Sequence, residues 1–185
     1  MSTQHVMIAL ALLATAGTGV ASDSELTVVD SVDLSRYLGT WYEVASYPAW
    51  FQKNCTAVTA EYSMRDDGLI KVVNSCRKGS LDGKLKQSTG RAKVVDTATN
   101  AKLKVSFFGP FWGDYWIIDL DVDYQWAVVG VPSRKYLWIL SRTPVMDEQT
   151  YRDIVSRLPE FGYDASRLSK TPQPQIAAGI GGGKP

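Results

Sequence analysis

Histidine is nearly missing from this sequence. The single copy is His5, and nothing after it carries an imidazole. The commonest general base and the commonest metal ligand are therefore absent from the body of the chain. Ser-His-Asp and Cys-His nucleophile systems are excluded with them, and so is haem held by a histidine. Cysteine is scarce too: Cys55 and Cys76 are too few to close a zinc site. Neither sign of charge dominates, with 20 Lys+Arg against 19 Asp+Glu, so electrostatics offer no reason to expect nucleic acid. No metal or cofactor is expected.

The apolar run VMIALALLATA (6–16) is too short to span a bilayer comfortably. Small residues ending Gly19-Val20-Ala21 follow it, then the polar SDSE, although residues 1–5 hold no Lys or Arg. Residues 1–21 read as a signal peptide cleaved after Ala21, the alternative being an uncleaved N-terminal anchor. The expected location is then periplasmic, outer-membrane associated or secreted. In such an oxidising compartment Cys55 and Cys76 are expected to pair as a disulfide rather than stay as two free thiols. The bond contributes about 3 kcal/mol by restricting the unfolded chain.

What is present is a period of two. Between a leader (22–32) and a Pro/Gly-rich tail expected to be disordered (172–185), residues 33–171 read as one domain. TWYEVASY (40–47) is the first strand candidate. TAVTAEYS (56–63) and LIKVVNSC (69–76) flank the turn RDDG, and GRAKVVD (90–96) and AKLKVSFF (101–108) flank TATN. YWIIDLD (115–121) and WAVVGVP (126–132) flank VDYQ, and YLWILSR (136–142) closes the series. Eight strands in a tight meander predict an all-β, antiparallel up-and-down barrel, with room for one small ligand. A sandwich needs longer Greek-key connections, which are scarce here.

Alternation assigns faces. Leu103, Val105 and Phe107 fall on one side of their strand and Lys102, Lys104 and Ser106 on the other, so the first set faces the interior. By the same rule Val58, Ala60 and Tyr62 point inward, as do Ile70 and Val72. In YLWILSR either Tyr136, Trp138 and Leu140 face in or Leu137 and Ile139 do, since both faces are apolar. A strand covered on its outside explains this. The cover is DEQTYRDIVSRL (147–158), whose Tyr151, Ile154, Val155 and Leu158 form one helical stripe behind an Asp147 N-cap. LSKTP (168–172) adds a final short strand. Cys55 and Cys76 nearly face each other across the RDDG hairpin, yet strict alternation separates their faces. The disulfide therefore requires an irregular backbone near Lys53-Asn54-Cys55.

Gly39-Thr40-Trp41 at the start of the first strand, the turn Asp121-Val122-Asp123-Tyr124 and Arg142 in LSRTP together resemble the lipocalin pattern. The resemblance covers residues 33–171 and is nearest to the bacterial outer-membrane branch and the apolipoprotein D group. That branch often carries a lipid-anchored cysteine after its signal peptide, and this chain has none there. The resemblance implies that Trp41 plugs a closed barrel end with Arg142 stacked across it, that Gly39 lets the entering chain pass close by, and that Asp123 marks the turn. These four are structural.

The resemblance also implies a cup for a fatty acid or lysophospholipid. Its lining is expected from Ala60, Tyr62, Val72, Val105, Phe107 and Trp138, with Tyr115 nearer the mouth offering a hydroxyl to a headgroup. Lipid carriage or storage in the cell envelope follows, without enzymatic activity. Two other readings stay open: an envelope interaction scaffold with a filled barrel, and a pocket enzyme using a buried carboxylate such as Glu43. In FFGPFWGDY (107–115), Phe111 and Trp112 sit in a turn and either touch a membrane surface or fold back over the barrel.

Overall fold

The computed structural model describes residues 25–174. The signal-peptide reading of residues 1–21 and most of the tail reading lie outside the described residues. A short helix α1 (Leu34–Tyr37) leads into β1 (Gly39–Ser46). The meander follows as β2 (Cys55–Met64), β3 (Ile70–Lys78), β4 (Leu85–Val94), β5 (Lys102–Phe108), β6 (Phe111–Leu120), β7 (Trp126–Gly130) and β8 (Leu137–Ser141). Helix α2 (Glu148–Arg157), a 3-10 turn and the two-residue β9 (Ser169–Lys170) complete it. Each strand pairs antiparallel with the next, and β1 pairs with both β8 and β2, which closes an eight-stranded barrel.

Two apolar layers share the wall. Trp138 and Leu140 join the interior cluster, while Leu137 and Ile139 are fully buried against Ile154 and Leu158 of the helical segment outside. Alternation left this choice open; α2 decides it by covering the outer face. Burying each such aliphatic side chain contributes about 1.5–3 kcal/mol. A bulge between Glu43 and Ala45 breaks alternation in β1 and sends Ala45 to the outer layer.

Three expectations change. β4 begins at Leu85 rather than Gly90. The stretch KQST is polar on both faces, so its period of two carries no hydrophobic signal. Phe111 and Trp112 start β6 instead of sitting in a turn, which consists of Gly109 and Pro110. Pro172 and Gln173, assigned to the tail by composition, help to close the barrel. Above Tyr42↔Thr59 strands β1 and β2 diverge, and the chain after β9 enters the gap. The Ala57 amide donates to the Pro172 carbonyl at 2.8 Å, and Gln173 Nε2 donates to the carbonyls of both Glu43 and Val58 at 2.8 Å.

Candidate functional site

The floor is built first, by local geometry. Asp33 caps α1, whose last residue Tyr37 is buried beneath the barrel. Trp41 is 0% exposed, and its indole N–H donates to the Tyr37 carbonyl at 2.8 Å, which supplies the partner a buried tryptophan needs. The Arg142 guanidinium carbon lies 3.8 Å from the centre of the Trp41 ring. Its nitrogens donate to the carbonyls of Arg36, Thr40 and Tyr124, tying α1, β1 and the β6–β7 turn together. Gly39 takes φ +90°, a left-handed conformation that strains other residues. The turn after β6 is held by Asp121, whose carboxylate accepts from the amides of Asp123 and Gln125. Asp123 contributes backbone there, and no hydrogen bond of its carboxylate occurs among the described residues. The role expected of Asp123 thus belongs to Asp121 and to Tyr124, whose hydroxyl accepts from the Asp33 amide at 2.8 Å.

Above the floor lies a tyrosine triad. Tyr115 Oη is 2.8 Å from Tyr37 Oη and 2.9 Å from Tyr62 Oη. Burial pushes Tyr62 up to about 12 and holds Tyr37 and Tyr115 well above 10, so all three stay neutral at ordinary pH. Tyr115 does not stand near the mouth with a free hydroxyl: its oxygen is committed to the deep cluster.

The expected lining residues divide by depth. Tyr62 and Val72 are buried in the packing over the floor. Ala60, Val105, Phe107 and Trp138 pack on the interior cluster yet remain only partly buried, while Tyr115 reaches down into the deep cluster. The first four are inward-facing side chains that water still reaches. Two residues of β4 complete this wall and carry no hydrophobic signal of their own: Ser88 and Gly90. A Cβ at Gly90 would come within 2.6 Å of the Ser106 carbonyl oxygen and 2.8 Å of the Phe107 ring, so the glycine is what lets β5 and that ring lie so close to β4.

Beside the cup, where β1 and β2 part, a recess of about 470 Å3 is lined by Glu43, Ser46, Trp50, Gln52, Val58 and Thr171 among others. Glu43 is buried and accepts from Ser46 Oγ, Gln52 Nε2 and Thr171 Oγ1, all neutral groups. Gln52 Oε1 in turn accepts from Trp138 Nε1 at 3.0 Å, which orients the interior tryptophan. The same region carries the Cys55–Cys76 disulfide, with Cα atoms 5.5 Å apart. Asn54 and Ala57 adopt positive φ, and the β2–β3 register shifts between Thr56 and Thr59. The irregular backbone that alternation demanded therefore lies on both sides of Cys55.

At the mouth, Phe111 is exposed, paired across the turn with the equally exposed Phe108. Trp112 is half-buried outside the wall beneath Arg91 and Lys93, whose charged groups lie 5.3 and 4.6 Å from its ring centre, so it does not fold back over the barrel.

Residues 32–173 match the family model of the lipocalin-like domain. The chain belongs to the lipocalin family. It is 44% identical over 149 residues to the outer membrane lipoprotein Blc of Escherichia coli K12, covering 80% of this chain and 84% of that one. It is also 44% identical over 157 residues to temperature-induced lipocalin-1 of Arabidopsis thaliana, covering 80% and 83%. Mouse apolipoprotein D is 34% identical over 155 residues, covering 79% of each chain. Among solved structures, insecticyanin from the tobacco hornworm superposes with a TM-score of 0.66 at 23% identity over 83% of this lipocalin and 87% of that chain, a likeness of fold. The lipocalin's three sequence markers all serve the floor. Gln52 and Gln173, which organise the wall around Glu43, belong to no marker. Nothing in the sequence signals them, since their partners come from elsewhere in the chain.

Proposed function

We propose that this lipocalin carries a single-chain acyl lipid, a fatty acid or lysophospholipid, with its tail in the upper half of the barrel. The observation that carries this reading is the inward wall of Ala60, Val105, Phe107 and Trp138, apolar and only partly buried above a sealed floor. An apolar concavity with few polar groups suits an alkyl chain, and each buried methylene contributes about 0.8 kcal/mol, so affinity should rise with chain length. Likeness to Blc, an outer membrane lipoprotein, and to apolipoprotein D supports an exported protein. Service in the cell envelope follows from that likeness, as transport or storage. Enzymatic chemistry gains no support from Glu43, whose oxygens are already occupied by three neutral donors.

Native mass spectrometry of protein purified from its host tests the proposal. Copurified acyl lipid is the expected result. An empty protein that also ignores fluorescent fatty acids would favour a scaffold with a self-filled barrel. Trp138→Glu places a charge on the inner wall and should lower fatty-acid affinity at least ten-fold, with the far-ultraviolet spectrum unchanged. Unaltered affinity in a folded variant would take the ligand out of this half of the cup.

A further inference from the structure

The connections at the two ends of the barrel differ in kind. At the mouth, residues 47–54 and 77–86 carry Lys53, Arg77, Lys78, Lys84 and Lys86 against Asp82 alone. At the floor, the turns at 65–68, 95–101 and 121–125 carry Asp66, Asp67, Asp96, Asp121 and Asp123 against Arg65, with Arg36, Lys102 and Arg142 the basic residues beside them. With a net charge of +1, this is an asymmetry of placement, not of composition. The exposed aromatic side chains share the end with the positive charge, whereas the exposed apolar residues of the floor, Met64, Val95 and Val122, are not aromatic. Trp50 is 82% exposed, Phe108 78% and Phe111 76%, and Leu81 and Leu85 stand out from the hairpin that holds Lys84 and Lys86. Trp50 rests on the Phe51 ring, at 5.7 Å between centres, and Lys78 Nζ donates to the Lys53 carbonyl at 2.7 Å, so two of the mouth loops are held side by side.

We infer that the mouth docks on an anionic lipid bilayer, with Trp50, Phe108 and Phe111 in the interfacial layer and the mouth lysines against headgroup phosphates. Exposed aromatics next to basic residues on one face are the composition of an interfacial surface. Each basic residue near an anionic leaflet raises binding about five-fold at low salt. The acidic floor is repelled by the same leaflet, which orients the barrel with its open end toward the bilayer. The docking surface goes beyond the cargo reading and does not depend on it: the rim stays apolar and basic whether or not the cup is filled.

The experiment is co-sedimentation of the protein with phosphatidylcholine vesicles made with and without phosphatidylglycerol. Binding should require phosphatidylglycerol and weaken as salt rises through the range where the screening length falls below about 10 Å. The pair Lys84→Glu and Lys86→Glu should lower binding by at least ten-fold. The pair Phe108→Ser and Phe111→Ser should lower it about as much and make the residual binding more salt-sensitive. Asp66→Asn at the floor should leave binding unchanged. Equal binding to both vesicle types, or rim variants that bind as wild type does, would overturn the inference. A wild-type protein that ignores both vesicles but forms a dimer dissolved by the phenylalanine substitutions would assign the face to a second copy instead. Fatty-acid binding in vesicle-free solution should be kept by both rim variants. Failure of the wild-type protein to bind fatty acid there, with vesicle docking intact, would count against the cargo reading alone.

Discussion

Trp41 and Trp50 lie nine positions apart and lead opposite lives. Trp41 is fully enclosed, its N–H bonded to a carbonyl and its ring under a guanidinium that ties three segments together. Trp50 is exposed at the mouth with another exposed aromatic as its ring neighbour. The same contrast runs through the tyrosines: Tyr37, Tyr62 and Tyr115 share one buried hydrogen-bonded cluster, whereas Tyr136 stacks on Trp138 toward the rim. An aromatic side chain can stabilise the fold only where its surface leaves water and its polar atom finds a partner. The floor meets both conditions. The rim meets neither, so its aromatics are free to serve contact with something else.

The contrast should be visible in stability measurements. The largest effect is expected for Trp41→Ala, which empties a fully packed site and leaves Arg142 without its ring. A loss of about 3–5 kcal/mol in denaturant unfolding is the expectation. Trp50→Ala should cost far less, and equal losses at the two tryptophans would break the comparison. Alkali gives the next effect. Tyr62 is raised to about 12 in the folded barrel, against about 10 in the unfolded chain. Its contribution is therefore fully present below pH 10 and is lost as pH climbs through 12, amounting to about 2–3 kcal/mol for this residue. Tyrosinate absorbance followed alongside circular dichroism should show the triad ionising only as the barrel opens. Early ionisation of all tyrosines in a folded protein would remove the closed floor. Smallest of all, Phe111→Ser should change unfolding free energy by less than about 0.5 kcal/mol, since the side chain it deletes is already in water.

How much of this was legible beforehand varies with the kind of residue. The inward faces of β2 and β5 follow from simple alternation, and the stripe Tyr151-Ile154-Val155-Leu158 announced a covering helix. Trp138 could not be oriented from β8 alone, because both of its faces are apolar and only α2 shows which is outside. Resemblance sets Tyr115 near the mouth, but a hydrogen bond to Tyr37, 78 residues away, holds its hydroxyl in the deep cluster. Resemblance marks the turn by Asp123, whereas the carboxylate that reaches the turn amides is that of Asp121. The polar start of β4 was invisible because strands lining a water-reached wall need no apolar face.

Strand order and the sense of the barrel wall are written in local patterns, because side-chain periodicity and turn residues act between near neighbours; the sealed floor is implied by resemblance and assembled from distant segments. The depth of each interior residue, the closing of the β1–β2 gap by Pro172 and Gln173, and the gathering of basic and aromatic residues at one end belong to the tertiary structure. Each of those depends on segments far apart in the chain meeting at one place, and no local pattern encodes a distance between them.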